Sequence, residues 1–368
     1  MPNNSGDFFE IDFLSVEAKD SGDAIAVRYR INGITSIHVV DGGFQNTGDH
    51  VVEHIEKYYG NSPAIDRVIA SHPDGDHLAG LPTVLEKLTV RELWMLRPWT
   101  YAHEIIHRFR NVASLGHLIR SLKDAYPHVL TLEQIANRKG IPIREPFQGA
   151  LIGPFQVLAP TKARYLDLIV KSDRTPDAIE GPAKSLLRSG LRGALTKAAT
   201  AIASLAKAAW GVEVFSSEDI SAENKMSVIQ YARLCDKRIV LTADAGIGSF
   251  AEAADYAPLT GLILPGVDRF QSPHHGSRRN VSTAMLDQWL GPRLRTQLPK
   301  GQETFTAVIS SAKADPDHPR KAVIRALIHR GAKVLATEGV DKKTGFNAPA
   351  RPNWSIADGE NYPEEQEE

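Results

Sequence analysis

The sequence predicts a layered α/β fold, on three observations. The chain has 368 residues, 42% of them hydrophobic, which suits one elaborated domain or two smaller ones. From the amino terminus to about residue 100, short β-branched runs alternate with amphipathic helical patterns. Strand-like runs return in the second half in the same style, as expected of sheets covered by helices.

Taken in order, the chain moves at residue 8 into the apolar run FFEIDFL. Strands are predicted at 24–29 and 36–43, a helix at 51–59 and a buried strand at 67–71. From 101 to 126, and again from 182 to 210, the pattern is helical and lacks strand punctuation, so 101–210 reads as a helical insertion or cap. Further strands are predicted at 155–158, 227–231, 238–242, 262–264 and 307–310. After Thr337 the chain carries Gly, Pro and Asn, and its acidic end, 350–368, is predicted to be disordered. No repeat of fixed period is present.

Composition excludes several classes. A net charge of −1 gives no global basic field for nucleic acid, so a polyanion would have to be met locally. The single cysteine, Cys235, excludes a disulfide framework and a cysteine zinc cluster, while 13 histidines leave imidazole for metal binding. No basic head, cleavage site or long apolar run is found, so a cytoplasmic protein without a membrane partner is expected.

The chemistry concentrates in Ser71-His72-Pro73-Asp74-Gly75-Asp76-His77. It follows a buried strand and precedes an apolar helical turn, so a loop there can aim several ligands at one point. His72, Asp74 and Asp76 alternate and can share a face while His77 turns to a neighbouring site, which is the spacing that two adjacent metal ions require. The alternative is a polar turn capping the next helix, with both histidines as packing residues.

This segment resembles the histidine–aspartate signature of the metallo-β-lactamase superfamily, and companions follow in the family's order. Asp41, in Val39-Val40-Asp41-Gly42-Gly43, resembles the first motif, which orients the metal loop. Asp244, after Val240-Leu241-Thr242-Ala243, resembles the carboxylate that bridges two metals, and His274 and His275, in Pro273-His274-His275-Gly276-Ser277, resemble the last ligand. The nearest subgroup is the soluble hydrolase domain of DNA-uptake competence channels (ComEC-like), over about 10–100 and 210–340, through Pro-His-His-Gly-Ser, Asn224-x-x-Ser227 and Asp317-His318-Pro319. The resemblance implies a four-layer αβ/βα sandwich spanning 8–345, with the metal cleft under the insertion.

It implies one metal position at His72, Asp74 and Asp244, and another at Asp76, His77, Asp244 and one of His274 or His275. Asp74 replaces a usual histidine and Asn224 another, so Asn224 is at best a weak ligand and the set is oxygen-rich. Oxygen donors raise manganese against zinc as the pair of divalent ions. The expected activity is a two-metal phosphodiesterase or nuclease using a metal-bridging hydroxide, with Asp76 holding it, His318 at the cleft rim, and nucleic acid or a nucleotide-type diester as substrate. The rival reading is a regulatory binding module with an impaired metal site.

His103-Glu104-Ile105-Ile106-His107 also satisfies the zinc-protease rule, with two imidazoles one helical turn apart and a glutamate between them, and Glu133 stands at a tolerable distance for a third ligand. An amphipathic surface helix explains the same string. Lys184, Arg188 and Arg192 form a basic face opposite Leu187, Leu191, Leu195, Ile202 and Leu205, which reads as a surface helix or a phosphate-backbone contact.

Overall fold

A computed structural model describes residues 6–16, 18–60, 63–180 and 205–367. Strands β1 (Phe8–Phe13), β2 (Ala24–Ile31) and β3 (Ile34–Gly42) form an antiparallel meander. β4 (Arg67–Ile69), β5 (Leu93–Trp94) and β6 (Ile143–Arg144) then extend β3 in parallel. β7 (Leu151–Ile152) and β8 (Phe155–Ala159) begin a second sheet, and β9 (Leu205–Lys207) stands outside both. The second sheet continues through β10 (Ile229–Leu234), β11 (Lys237–Leu241), β12 (Arg269–Gln271), β13 (Phe305–Ile309) and β14 (Ala332–Ala336), parallel from β11 onward. β15 (Lys342–Phe346) returns to the first sheet beside β1, and β16 (Glu365–Glu367) pairs with β9. The resulting orders are β15-β1-β2-β3-β4-β5-β6 and β14-β13-β12-β11-β10-β8-β7.

Side-chain alternation assembles these sheets into four layers. Alternate residues of a strand face opposite ways. Phe9, Ile11 and Phe13 of β1 and Val40 of β3 therefore meet Phe155, Val157, Ile239 and Leu241 of the other sheet in a core between the two. Val39 and Val68 face outward, against α1 (Thr47–Tyr58), α3 (Leu81–Lys87), α5 (Leu115–Ala125), α6 (Pro127–Lys139) and α7 (Lys162–Lys171). α2 (Gly75–Leu78) and α4 (Ala102–Ile105) are single turns. Beyond the second sheet, Phe250, Leu286, Trp289, Val323 and Leu327 cover it from the helices Ile247–Tyr256, Thr283–Leu290 and Lys321–His329. The architecture is the four-layer αβ/βα sandwich that the resemblance implies. Among the described residues no helix is long and apolar enough to cross a membrane.

Several elements differ from the sequence reading. Residues 262–264 are not a strand: they follow a 3-10 turn closed by left-handed Gly261 and run into Pro265, which has no N–H for a ladder. The strand comes instead at β12, three residues led by an arginine. The segment 101–210 supplies α5 and α6, but also β6 to the first sheet and β7 and β8 to the second. Lys184, Arg188, Arg192, Leu187, Leu191, Leu195 and Ile202 lie outside the described residues, and Leu205 opens β9. The acidic end is placed where disorder is predicted from its composition. β16 pairs with β9, and the Glu367 carboxylate accepts from Lys321 N at 2.9 Å and Ala322 N at 3.0 Å, satisfying the open amides of the helix Lys321–His329.

Candidate metal centre

In both sheets the parallel strands end on the same side, and the loops leaving them carry the candidate ligands. Asp41 lies at the end of β3, His72 just beyond β4, Asp244 beyond β11, and His274 and His275 beyond β12. The backbone there is held in an uncommon form: Asp41, Ala243, His274 and His275 have φ of 59°, 46°, 46° and 55°. Left-handed non-glycine residues cost free energy and persist where surrounding contacts impose them. A close approach sets the depth of the loop after β4. A Cβ on Gly80 would collide with the carbonyl of Gly42, so only glycine lets α2 and α3 sit against the end of β3.

Asp41 organises this loop. Its carboxylate accepts from Ser71 N at 2.8 Å, from Ser71 Oγ at 2.5 Å and from His77 Nδ1 at 2.8 Å. Since the Ser71 hydroxyl donates to Asp41, its contact with His72 Nδ1 at 3.0 Å must be a bond that the imidazole donates. His275 likewise gives Nδ1–H to the Ser310 carbonyl at 3.0 Å. All three rings therefore spend their Nδ1–H away from the cluster, and Nε2 is the atom that a proton or a metal ion takes.

These Nε2 atoms converge on carboxylates. His77 Nε2 is 3.2 Å from Asp244 Oδ1 and 3.7 Å from Asp76 Oδ2. His275 Nε2 is 3.4 Å from Asp76 Oδ2 and 3.8 Å from Asp244 Oδ1. One ligand atom from each of Asp76, His77, Asp244 and His275 lies within 4.8 Å of the others, the geometry of a site for one ion. His72 Nε2 faces the other oxygen, Asp244 Oδ2, and Asp74 Oδ2, each at 3.7 Å. His274 Nδ1 also stands by Asp244 Oδ2, at 3.1 Å, and touches Asn224 Nδ2. The sequence left the choice between the two adjacent histidines open; the structure brings His275 to Asp76 and His77, and His274 to Asn224.

The donor set fits a divalent cation. His72 Nε2, His77 Nε2 and Asp244 Oδ1 are buried and have no hydrogen-bond partner among the described residues. Buried polar atoms left in this way are costly unless something satisfies them. The charges lean on one another in the same sense. Burial opposes a charge on His77, but Asp244, Asp76 and Asp41 outweigh it and hold the imidazole well above its ordinary pKa. Burial also opposes the charge of His275, yet Asp244 and the bond to Asp76 push it up to about 9. Burial dominates at His274 and lowers it to about 4. It would raise Asp244 too, but His274, His77 and His275 keep that carboxyl well below the usual range. Protons and a cation thus compete for the same atoms.

Other expected residues lie at the rim or away from it. His318 stacks its ring 5.5 Å from that of His274, and its Nδ1 meets Asp315 Oδ2 at 3.1 Å. The zinc-protease alternative is corrected. α4 stops after one turn and passes into the 3-10 turn Ile106–Arg108, so His103 and His107 do not share one helical face. Glu104 bonds Lys162 at 2.7 Å, Glu133 bonds Arg97 at 2.8 Å, and no candidate metal cluster among the described residues includes either histidine.

Three groups at the site have no sequence signal. Arg174 NH2 reaches Asp74 Oδ1 at 2.6 Å. Glu223, buried, accepts from Ser172 Oγ at 2.5 Å and from Tyr126 at 3.2 Å, and lies 3.7 Å from Arg174 Nε. Asp23, also buried, accepts from Gln271 Nε2 at 2.9 Å and lies 3.7 Å from His77 Nδ1. Each is an isolated residue brought in by folding, and no spacing rule finds such residues.

Comparison with family models and with curated proteins gives no match. Among solved structures the chain is similar to a beta-lactamase domain protein from Burkholderia ambifaria, at 18% identity over 43% of this chain and 46% of that one, with a TM-score of 0.24. It is similar to the metallo-beta-lactamase SMB-1 bound to 2-mercaptoethanesulfonate, at 9% identity over 70% and 77% of the two chains, TM-score 0.29. A third similar structure is the hydrolase AbOPH of the beta lactamase superfamily, at 12% identity over 60% and 56%, TM-score 0.27. The chain thus spans less than half of the first of these proteins and a little over half of the third.

Proposed function

We propose that this chain is a metal-dependent hydrolase of phosphodiesters, acting on nucleic acid or a nucleotide-type diester. One observation carries the reading: three buried imidazoles, each held by its Nδ1, turn their Nε2 atoms onto Asp244, Asp76 and Asp74. Asp76, His77, Asp244 and His275 would hold one ion, and His72, Asp74 and the second oxygen of Asp244 would hold a neighbour. The mixed oxygen and imidazole donors suit zinc or manganese. A divalent ion bound there acidifies water and neutralises the charge that gathers on phosphate oxygens.

The chain's own groups do the rest. Asp76 is the carboxylate of the first cluster that solvent reaches, its side chain 27% exposed, so it is placed to orient an incoming water. Arg174 stands at the mouth with a guanidinium fork suited to a phosphate. His318 gives its Nδ1–H to Asp315, so Nε2 is the atom left to exchange a proton, and in the imidazolium form it would donate to the departing oxygen.

The test measures bound metal, and hydrolysis of bis-p-nitrophenyl phosphate with added manganese or zinc, beside the double variant Asp76→Ala, His77→Ala. Metal-dependent turnover that vanishes in the variant is expected. Inactivity with no metal retained would instead favour a binding module on the same scaffold.

A further inference from the structure

The two oxygens of Asp244 face different surroundings. Oδ1, without a hydrogen-bond partner among the described residues, looks onto His77 and His275. Oδ2 faces His72 Nε2 at 3.7 Å, Asn224 Nδ2 at 3.4 Å and His274 Nδ1 at 3.1 Å. Asp74 belongs to this second side, with Oδ2 3.7 Å from His72 Nε2. Its other oxygen already holds a cation, Arg174, at 2.6 Å. The Oδ1 side therefore meets only imidazole nitrogens, whereas the Oδ2 side has a fixed positive charge across one carboxyl group.

We infer that Arg174 is an intramolecular competitor for the second metal position. The chain holds one ion tightly, at Asp76, His77, Asp244 and His275, and a second only when the guanidinium leaves Asp74. The inference rests on the metal-binding reading above. A divalent ion between His72, Asp74 and Asp244 would need the negative charge that Arg174 is using. The two cations would stand only a carboxyl group apart, where salt screens little. The remaining donors on that side do not compensate. His72 supplies one imidazole nitrogen with no partner among the described residues, Asn224 presents an amide N–H to Asp244, and the Nδ1 of His274 is engaged by that same amide. A guanidinium keeps its charge at any pH at which the protein is folded, so the competition does not fade on titration. Glu223, 3.7 Å from Arg174 Nε and fastened by Ser172 and Tyr126, steadies the arginine in this position.

The competition is read by counting ions. The metal-free full-length chain is titrated with Mn²⁺ by calorimetry, and the ions retained after buffer exchange are counted by mass spectrometry. The unaltered chain is expected to retain one Mn²⁺. Arg174→Met should retain two, with the weaker step tightened at least tenfold, and Arg174→Lys, which keeps the charge, should stay at one. Thermal melts show that all three chains are folded, with Arg174→Met expected to melt lower because Glu223 loses the charge beside it. Two equally tight ions in the unaltered chain, an unchanged count in Arg174→Met, or two ions in Arg174→Lys would each overturn the competition. If neither the unaltered chain nor Arg174→Met retains Mn²⁺ or Zn²⁺, the metal-binding reading itself fails, and this inference with it.

Discussion

Asp41 shows how much of the centre depends on one side chain that positions its neighbours. Its two oxygens hold the Ser71 amide and hydroxyl and the Nδ1–H of His77. Asparagine has the same size, but its NH₂ cannot accept the bonds to the Oδ2 position. Asp41→Asn is therefore expected to weaken metal affinity roughly 10- to 100-fold, measured by competition with a chelator. His72, Asp74, Asp76 and His77 were legible in the sequence because they are local, four candidate ligands in six residues. Asp23, Arg174 and Glu223 were not, since each is a single charge whose neighbours exist only after folding. A second charged residue bears on stability. Burial opposes ionisation of Glu213, yet His329 and Arg330 hold its pKa at about 2, below the ordinary 4.5. Because the folded value is the lower one, this carboxylate stabilises the fold above pH 4.5 and stops doing so as pH falls through about 2. Melting temperature should drop across that window. Glu213→Gln should flatten the drop and cost about 3 kcal/mol at neutral pH, since Arg330 would lose a buried partner.

Among the elements, legibility followed burial. β3 and β11 lie inside their sheets and read as apolar runs ending in the site carboxylates, so both strand and ligand could be placed from sequence. β15, Lys342–Phe346, is an edge strand whose only large apolar residue is Phe346, and it left no hydrophobic signal. Lysines on an edge are what keeps such a strand from pairing with other chains. The protease-like string failed for a related reason: its spacing is right, but the turn beyond Ile105 breaks the helix that the spacing presumes. The double variant His103→Ala, His107→Ala should keep its bound metal and its diester turnover within about twofold of the unaltered chain. A loss of metal in this variant would return the protease assignment.

The whole molecule is closed by its two ends. β1 pairs with β15, Ser15 N donates to Asp341 at 2.8 Å, and Ser21 Oγ donates to Asp315 at 2.7 Å. Arg351 reaches Asp12 at 2.7 Å and Glu10 at 2.8 Å, two carboxylates with no exposed surface. Arg351→Ala should cost about 3–5 kcal/mol in urea unfolding, because it leaves both charges buried with less compensation. The layered architecture could be read from the alternation of patterns, but this closure could not, as it joins residues some three hundred positions apart. It also sets the order in which the protein can be made. Apart from β15, every strand of the first sheet has been synthesised by residue 144, while the strand that seals β1 is made only after the entire second sheet. A nascent chain must therefore carry an unsealed sheet through most of its synthesis. In that interval a second nascent chain can offer its own strand to the open edge, and this makes crowded polysomes the setting in which the protein is most exposed to misassembly.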